Sequence, residues 1–308
     1  MSNWPWSTVR GFGLLSLGCL TLLGVTSTWG WAQDPPTDQT VPLDGAQLQA
    51  RGLRIIGLVG DVHLNQNPVK VGDRLKVGDI ISTETGSQAR LQLDSSIGAV
   101  ELAEKTTLEI KALSGEAGTS LDQKTVLVIT QGQILCAVGR FVSAPFWSQT
   151  LPQNQRQQSI QESHFRVETP AAVIGVKGTT FGVSVAPDGQ TAVQTIEGSV
   201  GVLAAGQEVI VEKGQFVVVQ PQMKPTAPEQ IPTLSELEGI SAVRLTPKTV
   251  RLQGQISPAD LLYVEDQGVE TDAAGEFVYI GQLPASRRLK VTLRGPSVRE
   301  RHYIITVP

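Results

Sequence analysis

Cysteine is nearly absent from this 308-residue chain, with two residues, and histidine is scarce, with three widely spaced ones at His63, His164 and His302. A disulfide framework is excluded, and a histidine-rich metal site has no ligands to draw on. Aromatic residues make up only 5% and charged residues 18%, and the 25 basic residues do not balance the 29 acidic ones. With no basic stripe and a net charge of −4, nucleic acid is a poor match as partner. What the chain does have is 31 glycines and 18 prolines, too few for collagen but enough to punctuate many short strands. Hydrophobic residues at 40% supply a core without the excess of a polytopic membrane protein. The composition points to an all-β binding or structural protein.

The amino terminus carries an address. Arg10 is followed by no charged residue until Asp34, and the run between has a Leu-rich centre, the pattern of a signal peptide. Gly30 and Ala32 place small residues three and one before a cleavage point, so residues 1–32 read as a signal peptide and Gln33 as the first mature residue. The alternative is an uncleaved anchor, since about 20 apolar residues span a bilayer. Cys19 lacks the upstream Leu of a lipoprotein site. Export leaves Cys136 as the single thiol; within Ile134-Leu135-Cys136-Ala137-Val138 it reads as a buried, inert side chain.

Residues 33–50 are polar and Pro-containing, a disordered tether. Residues 51–220 show short alternating runs such as Leu91-Gln92-Leu93, broken by Gly, Asp, Asn or Pro, and read as one β domain. Lys70-Val71-Gly72-Asp73 recurs as Lys76-Val77-Gly78-Asp79, and turn glycines at 198, 206 and 214 fall eight residues apart. Such spacing fits either a meander or a solenoid-like roll. Residues 140–163 form a long excursion bearing Phe146 and Trp147, either a plug folded onto the core or an exposed contact, followed by a Gln-rich stretch read as mobile. Residues 221–244 are a Pro-rich linker, and 245–308 carry at least five strand patterns in a length that implies a small sandwich.

Several motifs in order carry a resemblance. Val71-Gly72-Asp73, then Gly78-Asp79-Ile80-Ile81-Ser82-Thr83, then the segment from Phe165 through Thr169-Pro170 to Gly178-Thr179-Thr180-Phe181, then Glu197-Gly198-Ser199-Val200 and Lys213-Gly214-Gln215 together resemble the FecR-type domain over residues 61–220. The resemblance implies a periplasmic all-β module. Thr169, Pro170, Gly178, Thr179 and Phe181 are residue types that shape backbones, so they read as scaffold rather than ligand contacts. The best-known FecR-type signal transducers carry a helical anti-sigma region before a membrane span; here the uncharged run starts at Gly11, and ten residues cannot form such a region. Residues 245–308 resemble small bacterial immunoglobulin-like domains at Asp272-Ala273-Ala274-Gly275 and Leu289-Lys290-Val291-Thr292-Leu293.

No phosphate loop, dinucleotide turn, nucleophile elbow or zinc-protease motif occurs; Val176-Lys177-Gly178-Thr179 has its Lys before the Gly. The expectation is a non-catalytic protein without cofactor or metal, periplasmic or secreted. It would bind an envelope protein or polymer through Phe146 and Trp147, and would touch membrane only if the amino-terminal segment is retained. A membrane-anchored envelope sensor is the alternative.

Overall fold

The computed structural model describes residues 52–93, 98–114, 124–139, 152–231, 236–272, 274–295 and 300–308. The signal segment, the tether and the excursion residues Phe146 and Trp147 lie outside the described residues.

The fold is all-β. Eight strands come first: β1 (Leu53–Val59), β2 (Val62–Leu64), β3 (Asn67–Pro68), β4 (Arg74–Leu75), β5 (Ile80–Thr83), β6 (Gln88–Leu93), β7 (Gly98–Leu102) and β8 (Thr107–Ser114). A fifteen-residue strand follows, β9 (Lys124–Val138). After helix α1 (Gln153–Gln161) come β10 (Phe165–Glu168), β11 (Val173–Val176), β12 (Thr180–Val185), β13 (Thr191–Glu197), β14 (Ser199–Ala204), β15 (Gln207–Glu212), β16 (Gln215–Val219) and β17 (Glu229–Gln230).

These strands form two layers that meet in β9. The first layer runs β4-β1-β6-β7-β9-β12-β13-β16-β17. The second runs β3-β2-β5-β8-β9-β10-β11-β14-β15. Residues 125–128 of β9 pair with β10 in the second layer, and residues 132–137 pair with β12 in the first. One strand is therefore the midpoint of both layers, with four strands on either side. Beyond it the chain descends as hairpins that alternate between layers, β10-β11, β12-β13, β14-β15, β16-β17. The inward faces share one core that includes Leu53, Ile55 and Leu91 from the first layer and Val62, Ile81 and Ile174 from the second.

The handover in β9 has a local cause. Gly132 has φ +89°, and a Cβ there would lie 2.4 Å from Thr106 Oγ1 and 2.5 Å from Thr106 Cα. Only glycine takes this turn at this distance. The Thr106 hydroxyl accepts the amide of Gln133 (2.9 Å), while Thr106 donates its own amide to Thr83 Oγ1 (3.0 Å), so buried side chains satisfy groups that the bend takes out of the ladders.

The C-terminal region adds β18 (Glu238–Thr246), β19 (Thr249–Gln255), β20 (Leu261–Val264), β21 (Gln267–Val269), β22 (Glu276–Gln282), β23 (Arg288–Arg294) and β24 (Glu300–Thr306). They form a three-stranded sheet, β18-β19-β22, and a four-stranded sheet, β21-β20-β23-β24, around a core of Val250, Leu252, Phe277, Leu289 and Val291 among others. Strand β18 begins inside the stretch that the sequence reads as linker. It is an edge strand with two register shifts, and both features erase the alternation by which a strand is recognised.

Candidate partner-binding surfaces

The segment from Phe165 to Phe181 forms β10, the turn to β11, β11 itself and the entry to β12. Strand β10 stops at Glu168, and Thr169 closes the turn to β11: its Oγ1 accepts the amides of Ala171 (3.2 Å) and Ala172 (2.9 Å) and the hydroxyl of Thr191 (2.9 Å). Pro170 occupies the turn, where its missing amide costs no ladder bond. Gly178 has φ +110°, outside the range L side chains adopt comfortably. Thr179 follows, buried, its carbonyl accepting the Val138 amide at the end of β9 (2.9 Å). Phe181 is fully buried and meets Phe165 edge-to-face, centroids 6.4 Å apart, a geometry the ring quadrupoles favour.

The Gln-rich stretch, expected to be mobile, contains α1. Nearly all its side chains are polar, and only Ile160 is buried. The helix lies directly on β11, because Gly175 has no side chain to keep Ile160 away: a Cβ there would come within 2.8 Å of the Ile160 carbonyl oxygen. Glu208 on β15 fixes the other side. Its carboxylate accepts from Arg156 Nη2 (2.5 Å) and Gln157 Nε2 (2.9 Å). Burial opposes ionisation of Glu208, but those two hydrogen bonds, its own backbone amide and the Arg156 charge outweigh it and hold the carboxyl below its ordinary range. Periodicity could not reveal this helix, since it has almost no apolar face.

The first layer is covered differently. Ala192, Phe216 and Val218 point away from the shared core and pack on Ala259, and Ala186 packs on Leu261 and Tyr263. The seam between the sandwich and the C-terminal region is also polar. Gln133 Nε2, at the bend of β9, donates to the carbonyls of Arg294 (2.9 Å) and Gly295 (2.8 Å). Arg294 pairs with Glu104 and with Glu300 (3.0 Å) and stacks on Tyr263, 4.5 Å from the ring centroid. Lys105 lies over the same ring at 4.9 Å and donates to the Asp266 carbonyl. Burial pushes the Tyr263 hydroxyl up to about 12, with the Glu300 charge adding to it.

Cys136 is buried, and burial raises its thiol pKa far above the ordinary value, so it lacks thiolate character. Among the described residues no cluster of His, Cys, Asp and Glu could hold a metal ion, and no helix is long and apolar enough to cross a membrane.

The order of motifs, their placement around β9 and the alternating hairpins meet in one comparison. Residues 79–201 match the family described as FecR protein. The chain therefore carries a FecR region running from the start of β5 into β14, with β9 near its middle. The Val71-Gly72-Asp73 and Lys213-Gly214-Gln215 motifs fall outside the matched residues. Two crystal structures of a "putative anti-sigma factor" from Parabacteroides distasonis are similar over 49% of this chain and 59% of theirs, at 17% identity and a TM-score of 0.35. The chain thus spans 59% of that protein's length. Comparison with curated proteins finds no match.

The edges of the two layers are unequal. Strands β3 and β4 have two residues each. In the first layer β16 is flanked by the following segment, with Thr226 donating to the Val218 carbonyl (3.0 Å), Ile231 to Gly214 (2.9 Å), and β17 pairing with Gln215 and Phe216. In the second layer the last strand, β15, pairs along all six residues with β14 and shares no register with another strand among the described residues. A short edge is blunted, whereas a long open one is a template for another strand.

Proposed function

We propose that this protein is an exported, non-catalytic scaffold of the cell envelope, in which the FecR region binds an envelope protein or polymer by adding a strand to β15. The observation that supports it is the contrast among edges: three are shortened or flanked by a following segment, whereas β15 is six residues long and has no second strand paired with it among the described residues. Strand addition uses backbone hydrogen bonds for affinity and alternate side chains for selection. Phe146 and Trp147 would supply an aromatic anchor. The C-terminal strands, read as immunoglobulin-like, would be a second contact.

The edge is tested at Ile210. The amide of Glu212 turns away from β14 to Gln215 Oε1 (3.0 Å); amide directions alternate along a strand, so Ile210 also turns outward. Ile210→Pro removes that donor and spares the β14 ladder. Affinity capture from envelope extracts should fall at least about tenfold, which is roughly 1.4 kcal/mol, with melting temperature held within a few degrees; undiminished capture would count against the edge. Trp147→Ala should weaken capture by about 2 kcal/mol with the fold intact. If it instead lowers thermal stability and leaves binding alone, the aromatic pair is a plug. Export predicts a mature protein beginning at Gln33; recovery from membranes beginning at Met1 would favour the anchored sensor.

A further inference from the structure

The C-terminal region has two outer sheet faces, and among the described residues only one is covered. On the four-stranded sheet, Leu261, Tyr263, Thr292 and Arg294 are all buried, in the seam against the FecR region. On the three-stranded sheet, Val243, Leu245, Val278 and Ile280 are exposed at 52, 50, 53 and 64%. Register places three of them together: Val243 lies opposite Arg251 and Arg251 opposite Ile280, while Val278 is opposite Gln253 in the adjacent row; Leu245 falls in the register shift between Arg244 and Thr246. Three aliphatic side chains on one face, at a sheet edge whose last strand pairs only with β19 among the described residues, are more than the scattered exposure of an ordinary surface.

The covered face shows what such a surface takes. There an arginine in an inner strand, Arg294, sits between Leu261 on one neighbour and Glu300 on the other, and the docked region brings Glu104 to it. On the open face Arg251 occupies the inner strand between Val243 and Ile280, and no carboxylate among the described residues pairs with it. The acid on the same face of β22, Glu276, is four residues from Ile280, about 13 Å along a strand. We infer that the outer face of β18-β19-β22 docks a protein segment presenting a carboxylate between apolar side chains, with Arg251 receiving the carboxylate. This rests on the scaffold reading and names a second contact for it. A second copy packed face to face about a two-fold axis through Arg251 would set arginine against arginine, which like-charge repulsion opposes.

The probes are two fluorescein-labelled hexapeptides, one alternating valine and glutamate and the other valine and lysine, titrated into the purified protein and followed by fluorescence anisotropy. The glutamate peptide should bind saturably and at least tenfold more tightly than the lysine peptide. Arg251→Glu should invert that preference, and Ile280→Thr should weaken binding about fivefold. Both residues are exposed, so circular dichroism and melting temperature should stay unchanged, which keeps loss of binding separate from loss of fold. Absence of saturable binding, or binding indifferent to Arg251→Glu, overturns the assignment. So does concentration-dependent dimerisation abolished by Ile280→Thr, which would give the face to a second copy. Binding to phosphatidylglycerol vesicles lost in Arg251→Glu would give it to lipid and overturn it equally. The Ile210→Pro capture result stands apart from all of these, so either reading can fail without the other.

Discussion

On either side of β9 the sandwich has four strands per layer, but the two halves are made from different sequence. Before β9, strand β6 reads Gln88-Ala89-Arg90-Leu91-Gln92-Leu93 and alternates cleanly: Ala89, Leu91 and Leu93 are buried while Arg90 and Gln92 face solvent. After β9, strands β12, β13 and β16 are buried on both faces over most of their length. The outward positions of the second half meet α1 in one layer and the C-terminal region in the other, whereas those of the first half meet water. Alternation reports one covered face, and an unbroken apolar run reports two. The run Gln215-Phe216-Val217-Val218-Val219 is thus a record of a neighbour elsewhere in the chain.

The bend that both halves share should be the most sensitive point. Gly132→Ala would force a left-handed backbone on alanine and drive its Cβ into Thr106, and should cost about 4 kcal/mol or more, seen as loss of the cooperative urea transition or of soluble protein. A normal transition would mean that the halves do not depend on the bend. Next come outward positions of the halves themselves. Phe216→Ala, at a residue 4% exposed, should cost about 3 kcal/mol, while Gln92→Ala should stay within about 0.5 kcal/mol. Equal effects by denaturation would erase the distinction between covered and open faces. Gly178→Val, just past β11, should destabilise by about 1 to 3 kcal/mol, and an unchanged melting temperature would remove the strain argument.

The smallest expected effect concerns α1. The Glu208 carboxyl is held below its ordinary range in the folded protein, so its contribution is complete above the unfolded value near 4.3 and disappears as pH falls through the lower folded value. Melting temperature should therefore fall as pH drops below about 4.3 more steeply in the native protein than in Glu208→Gln, which has nothing left to titrate there. Parallel curves would show that α1 is held by Ile160 alone.

Much of this was legible in the sequence. The β class, the turns at Gly72 and Gly78, the five strand patterns after residue 245 and the packing role of Phe165 and Phe181 follow from period, turn chemistry and residue type. The handover at Gly132 was not, because a glycine between two apolar runs looks like any turn; its cause is Thr106, 26 residues earlier. Nor was α1, whose side chains are nearly all polar and whose docking depends on the bare surface of Gly175. The seam was hidden for a related reason: Gln133, Glu104 and Arg294 are ordinary polar residues until topology brings them together. Phe146 and Trp147 lie outside the described residues, and their role rests on the capture experiment.

The long strand at the centre also sets the order in which the protein can form. When the chain has emerged as far as β9, its first-layer half can pair with β7 and its second-layer half with β8, but its partners on the other side, β12 and β10, are still to come. Cys136 pairs with Phe181, 45 residues further on. Through that interval both halves of β9 present open edges, and Val126-Leu127-Val128-Ile129 and Ile134-Leu135-Cys136-Ala137-Val138 carry no charge to discourage intermolecular pairing. Closure waits on distant contacts, which slows folding. Aggregation during folding should therefore begin at β9, and a chain truncated after Val138 should be insoluble although it retains every strand of the first half.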